Sequence, residues 1–322
     1  MREAIHQDEI KLQQTLEQLK HKGYLEYTGE YGAELTTFLP FVAWLNQEGL
    51  LKQRKIISYN GMRPYYFFLS NEQFSEKNEK RHWLAEKYRY WPSSSTYTAT
   101  AKRWHVYPNY RKHYQAAGQS FDKPIIFIQN KFIMEWGLGP INYIPLMSLG
   151  YFLEQTKHQF TVIYSRPTRK VQNSDYVEDT NAELDYPDRS ILQDFKHTID
   201  LEELCINNNL HYNQTKLEMM AKTNIFIGVQ GGGSHAIAYF DNSLLLLLHN
   251  IDCLGAREQY EYPHAYKHGP YKYLNNNSLT LAIACNIKEL GQGLFGVSKI
   301  SIDNNLFSLS GEALTALKPL LM

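Results

Sequence analysis

Residues 223–240 read Thr-Asn-Ile-Phe-Ile-Gly-Val-Gln-Gly-Gly-Gly-Ser-His-Ala-Ile-Ala-Tyr-Phe. The apolar run from Ile225 to Val229 predicts a buried strand. Gly231, Gly232 and Gly233, followed by Ser234 and His235, predict a sharp turn, and Ala236 to Phe240 predict the opening of a helix. Strand, glycine turn and helix start together make a place for a phosphate. Glycine lets the main chain come close to an anion, and the free N–H groups at a helix N-terminus point at it. The plain alternative is a tight turn with no ligand; three successive glycines with Ser and His favour the ligand.

The flanks repeat the alternation. Upstream, residues 125–129 and 160–164 predict strands and 143–156 a helix, with a polar, glycine-bearing loop at 130–140. Residues 168–195 are charged and read mostly as loop, and 201–207 and 214–222 predict short helices. Downstream, 244–249 and 279–284 predict strands, 287–291 opens a closing segment, and 311–321 predicts a terminal helix. The first half starts with a helical stripe over 3–20 and a strand at 24–28. A loop at 29–34, a helix at 35–45 that contains Pro40, and a strand at 55–59 follow. Residues 70–120 are rich in Lys, Arg, Tyr and Trp with poor periodicity, a short strand at 103–107 and a linker near 116–123. Alternating strands and helices imply a parallel sheet in each half. The expected fold is α/β, with two Rossmann-like domains facing across a cleft. These are an N-terminal domain over 1–120 and a C-terminal domain over 121–300, with a closing helix at 301–322.

The totals narrow the function. The 322 residues are 43% apolar and 20% charged, ordinary for a globular chain. Lys+Arg and Asp+Glu balance at 33 each, so net charge gives no pull toward nucleic acid, and no nucleic-acid motif accompanies the basic, aromatic tract at 77–114. The three cysteines form no metal or disulfide pattern and fit a reducing, cytoplasmic setting. The N-terminus lacks a signal-peptide core, and the aliphatic run at 244–248 is too short to span a bilayer, while contact with a membrane surface stays open. Metal use is not expected. There is no Asp-x-Asp pair, Asp185 and Asp188 read as solvated, and Pro263 and Gly269 break any helix that would align His264 with His268.

Three segments carry a resemblance: residues 29–34 in the first half, Tyr164-Ser165-Arg166-Pro167 in the second, and the strand and turn at 227–234. With a helix ending in Ala221-Lys222-Thr223-Asn224 before that strand, the layout resembles the GT-B glycosyltransferases, which transfer a sugar from a nucleotide donor. The motifs cover a small part of the chain, and the resemblance places it in no single sequence family. It implies a nucleotide-sugar co-substrate, no other cofactor, and a carbohydrate acceptor; it is silent on oligomeric state. Gly231, Gly232, Gly233, Ser234 and His235 would meet the donor diphosphate, and Arg166 would neutralise phosphate charge, its alternative being a surface ion pair. Asn130, Lys131, Glu135 and Trp136 line the other strand exit, with Lys131 on phosphate and Trp136 on sugar. Glu258 would bind ribose or sugar hydroxyls. An inverting enzyme needs a base, for which Glu34 comes first and Glu30 second; the alternative for both is charge compensation at a helix start, and a retaining enzyme needs neither.

Two rivals remain. Residues 231–236 also fit the Gly-x-Gly-x-x-Ala turn of an NAD(P)-dependent oxidoreductase, with Asp252 roughly twenty residues on. Too little chain follows for a full dinucleotide fold, and the helix after the turn would be very short. A non-catalytic sugar- or nucleotide-binding protein, using the 24 Tyr, 15 Phe and 5 Trp for stacking, fits the same residues.

Overall fold

A computed structural model of the protein describes residues 2–79, 81, 91–92, 104–118, 120–134, 139–140, 143–168, 184–229, 231–240, 243–249 and 279–285. It is an α/β protein with two parallel sheets. Glu135, Trp136, Asp252, Glu258, His264, His268 and the segments expected at 287–291 and 311–321 lie outside the described residues.

The first sheet has the order β1-β2-β3, from Tyr24–Glu26, Lys55–Tyr59 and Phe74–Lys77. Helix α1 (Arg2–Lys22) precedes it, and Gly23, at φ +73°, turns the chain into β1. Between β1 and β2 runs one helical rod: α2 (Tyr31–Ala33), a π-helical stretch (Glu34–Phe38) and α3 (Leu39–Gln47). Pro40 has no N–H to give to the preceding turn, and the π stretch lies just before it. The hydroxyls of Thr36 and Thr37 bond back to the carbonyls of Gly32 and Ala33 at 2.9 and 2.7 Å. The rod therefore begins at Tyr31, inside the stretch expected to be loop.

The second sheet is six-stranded and parallel throughout, in the order β6-β5-β4-β7-β8-β9. In chain order the strands are β4 (Ile125–Gln129), β5 (Thr161–Ser165), β6 (Thr198–Asp200), β7 (Ile225–Val229), β8 (Ser243–His249) and β9 (Leu279–Cys285). Every residue of β4 and β7 is buried, as expected for strands covered on both faces. Numbered from β4, this is the 3-2-1-4-5-6 order of a doubly wound sheet, and the order reverses between β4 and β7.

Right-handed crossovers put α5 (Leu146–Thr156) and α6 (Asp188–Gln193) on one face. The same rule puts α7 (Leu201–Asn208), α8 (Tyr212–Ala221) and α9 (Gly232–His235) on the other. The first unit docks on the second face: α8 packs against α4 (Tyr110–Tyr114) and the 3-10 turn Arg63–Tyr66, and α9 packs against α2. One apolar core runs through the joint, from Phe38 and Tyr65 to Leu217 and Phe240. Polar bonds cross it too: Arg111 donates to the carbonyls of Ala221 and Thr223, each at 2.8 Å, and Asn213 to that of Gly61 at 3.1 Å.

Besides α2 and the 3-10 turn Arg63–Tyr66, regular structure that was not expected includes β3 and α4 within 70–120, and α6 and β6 in or beside the charged stretch. Conversely, residues 104–107 form no strand, although Val106 bonds to the carbonyl of Pro40 at 2.9 Å. Among the described residues no helix is long and apolar enough to cross a membrane.

Candidate functional site at the strand-order reversal

Strands β4 and β7 lie side by side with Gln129 opposite Gly228, so the segments leaving them emerge together. In open α/β sheets the crevice at such a reversal, beyond the C-terminal strand ends, is where ligands bind. From β4 the chain continues into Asn130 and Lys131; from β7 it reaches the glycine turn.

Each glycine of the turn has a different close neighbour. A Cβ on Gly231, which sits at φ +151°, would lie 2.9 Å from Lys131 Nζ. On Gly232 it would lie 3.0 Å from the main-chain nitrogen of Gly32, and on Gly233 3.1 Å from Gln129 Cδ. The glycines thus serve close contact with protein. A bulky residue at Gly232 would therefore disturb the joint with α2 and would not report on ligand affinity alone. Ser234 is fully buried, and its hydroxyl donates to the Val229 carbonyl at 2.6 Å, closing the turn. Helix α9 has only four residues and leads into a 3-10 turn, so its dipole is small. An anion here would rely on Lys131 and main-chain N–H groups.

His235 is half-buried beside Gly32, where a Cβ would stand 3.2 Å from its Cδ2. Burial, aided by the charge of Lys131, lowers its pKa to about 4, so the ring is neutral at pH 7. The structure brings together Gln129, Lys131, Gly231–Gly233 and His235 with Tyr31 and Gly32 of the first unit.

Arg166 and Asn130 lie in a separate buried network. Arg166 forks onto Asp188, with Nε to Oδ2 at 2.5 Å and Nη2 to Oδ1 at 2.7 Å, and donates to the Tyr186 carbonyl at 3.2 Å. Asp188 also accepts from the Tyr164 hydroxyl, which accepts from Asn130 Nδ2 at 2.6 Å. Asn130 Oδ1 takes the N–H of Ile144 at 3.0 Å. The reading of Asp188 as solvated is corrected: it is fully buried, and the Arg166 fork with the Tyr164 hydroxyl is what makes that tolerable. Arg189 continues the polar cluster to Asp200 at 2.6 Å and to Glu202.

Glu34 is fully buried as well. Its Oε1 accepts from Ser58 and, at 2.8 Å, from Tyr66, while Oε2 stands 2.7 Å from Arg81 Nη1. Burial alone would lower the Arg81 pKa, but the carboxylate beside it turns the net shift upward. Glu30 is half-buried at the start of α2, and its carbonyl accepts from the Tyr27 hydroxyl at 2.6 Å.

Sequence reasoning missed Gln129, Tyr31, Arg81 and Lys216. Lys216 is 3% exposed on α8, with no hydrogen-bond or ion-pair partner among the described residues, and burial lowers its pKa to about 7. Its signal was a single lysine beside Leu217, Met219, Met220 and Ala221 in a helix buried on nearly every side. Among the described residues no group of three or more His, Cys, Asp or Glu could hold a metal ion. Comparison of the chain with protein-family models, curated proteins and solved structures gives no match.

Proposed function

We propose that the protein is a metal-independent glycosyltransferase that holds a nucleotide-sugar donor at the β4–β7 reversal and passes the sugar to a carbohydrate hydroxyl. One observation carries this: the amine of Lys131 and the main chain of Gly231–Gly233 flank the reversal point of a doubly wound sheet. An ammonium beside main-chain N–H groups suits a diphosphate. The rod after β1 meets the turn after β7 at Gly32 and Gly232, so the C-terminal ends of the two sheets converge. That convergence supports a GT-B-like arrangement in which each unit offers one substrate. His235, held neutral, would bond to the phosphate or to a sugar hydroxyl. Arg166 and Asn130 hold the wall of the site. No base is assigned, because Glu34 is committed to Ser58, Tyr66 and Arg81.

The oxidoreductase alternative loses support from the topology. A dinucleotide fold of this strand order carries its glycine fingerprint after the first strand. That strand is β4, which runs into Asn130-Lys131-Phe132, whereas the glycine turn follows the fourth. The engagement of Glu34 favours a second reading, a sugar-nucleotide-binding protein without turnover.

A thermal-shift series with UDP-, GDP-, CMP- and dTDP-linked sugars, with NAD(H) alongside, tests the proposal. Stabilisation by one nucleotide sugar and not by NAD(H) supports the site, and release of free nucleotide in the presence of an acceptor separates enzyme from binder. Stabilisation by NAD(H) alone refutes it.

A further inference from the structure

Lys216 sits inside the joint between the two units. Around α8, at about 100° per residue, it falls about 40° from Tyr212 and about 60° from Asn213. The Tyr212 hydroxyl meets Ser165 Oγ at 2.6 Å, at the end of β5, and Asn213 Nδ2 donates to the Gly61 carbonyl of the first unit at 3.1 Å. The lysine is therefore wedged between the second sheet and the first unit, beside Leu217 and Met220 of the shared apolar core. It is 3% exposed and has no hydrogen-bond or ion-pair partner among the described residues. An ammonium so placed loses its hydration and gains no partner in return.

Among the described residues, no charge on the elements packed against α8 compensates it. On α4, Arg111 gives its guanidinium to the Ala221 and Thr223 carbonyls, Lys112 is exposed, and His113 stacks on Phe67 at 3.9 Å. On the 3-10 turn, Arg63 donates to the Tyr66 and Leu69 carbonyls at 2.7 and 2.8 Å. On α7, Glu202 accepts from Thr168 and pairs with Arg189, and Glu203 is exposed. On α8 itself, Glu218 accepts from Gln214 at 2.6 Å. Burial is accordingly the one cause that lowers the Lys216 pKa, to about 7. Burial also pushes the Tyr110, Tyr114 and Tyr212 hydroxyls above their usual 10 and His113 below its usual 6.5, so none of these titrates between pH 7 and 10. The buried Cys205 thiol of α7 is the remaining group to control for.

In water the lysine amine keeps its proton to about pH 10.5, and in the closed joint only to about pH 7. Between these values the closed joint holds fewer protons than an open one, so rising pH favours closure, by up to about tenfold per unit. Below pH 7 both forms are protonated and the balance is level. We propose that Lys216 is a pH-operated latch on the joint: its charged amine loosens the docking of α8 on the first unit, and release of that proton tightens it. Gly32 and Gly232 meet across the same joint, so loosening parts the two walls of the candidate site. The latch stands whether or not the ligand of that site is a nucleotide sugar.

The test is hydrogen exchange of the full chain from about pH 6 to about pH 9.5, read by mass spectrometry and corrected for the intrinsic rate at each pH. Amides of α4 and α8 should exchange through an opening that leaves β4 and β7 protected. Their protection should be level below pH 7 and rise about tenfold per unit above it, to roughly 100-fold by about pH 9. Lys216→Met should hold them at the high protection throughout, and Cys205→Ala should keep the wild-type rise. The latch is overturned by protection of α4 and α8 that stays flat in the wild type, rises equally in Lys216→Met, or vanishes as a pH effect in Cys205→Ala. Exchange of α4 and α8 only together with β4 and β7 overturns it as well, because the amine would then be released by unfolding and not by opening. The wild-type series decides this last point without any variant.

Discussion

The amine of Lys131 stands where a side chain at position 231 would have to go: a Cβ on Gly231 would meet Nζ at 2.9 Å, at a main-chain φ of +151° that favours glycine. Gly231→Ala should therefore push Lys131 aside and strain the turn, at a cost of about 1–3 kcal/mol. Urea unfolding reads the stability and calorimetry the nucleotide-sugar affinity; both should fall. Gly232→Val should destabilise by a similar amount through overpacking against Gly32. Wild-type stability in either variant would mean that the turn is looser than this packing.

His235 gives an acid-side signature. The unfolded histidine takes up a proton below about pH 6.5, whereas the folded one resists until about pH 4. Its contribution to stability is whole above pH 6.5 and is lost as pH falls through that window. Replacing His235 by Gln should flatten this part of the stability profile. Lys131→Ala should move the His235 titration upward in an NMR experiment, because the lysine charge is one of its causes.

Lys216 acts on the other side of neutrality. The unfolded lysine stays protonated up to about pH 10.5 and the buried one only to about pH 7. Stability should rise between these values, by at most about 1.4 kcal/mol per pH unit for this one group. Lys216→Met, which keeps the length and loses the amine, should raise the melting temperature at pH 7 and remove that rise. A lower melting temperature would show that the amine has an acceptor in solution.

Asp188 and Arg166 should be strongly coupled. Asp188→Ala strands a buried guanidinium and should cost about 3–5 kcal/mol, whereas Asp188→Leu with Arg166→Met should recover much of the loss. Additive losses in a urea double-mutant cycle would contradict the pairing.

The sequence displayed β4, β7 and β8 because each is a continuous apolar run, the mark of a strand covered on both faces. The edge strands β3, Phe-Ser-Glu-Lys, and β6, Thr-Ile-Asp, carry mixed residues and short lengths, so no period emerges. Nothing local announces that the chain returns from β6 to the far side of β4, yet that return makes the reversal point. The glycine turn and Lys131 were legible singly, as residue types after apolar runs; their contact was not. The partners of Arg166 and Glu34 come from distant segments, which is why one looked free for phosphate and the other for a proton.

The most direct measurement is calorimetric titration of nucleotide sugars into the intact chain and into Lys131→Ala. One nucleotide sugar should bind saturably, and at least tenfold (about 1.4 kcal/mol) more weakly in the variant, while the unfolding midpoint stays unchanged. Equal affinity in the two proteins, or no nucleotide-sugar binding by the intact chain, would contradict it.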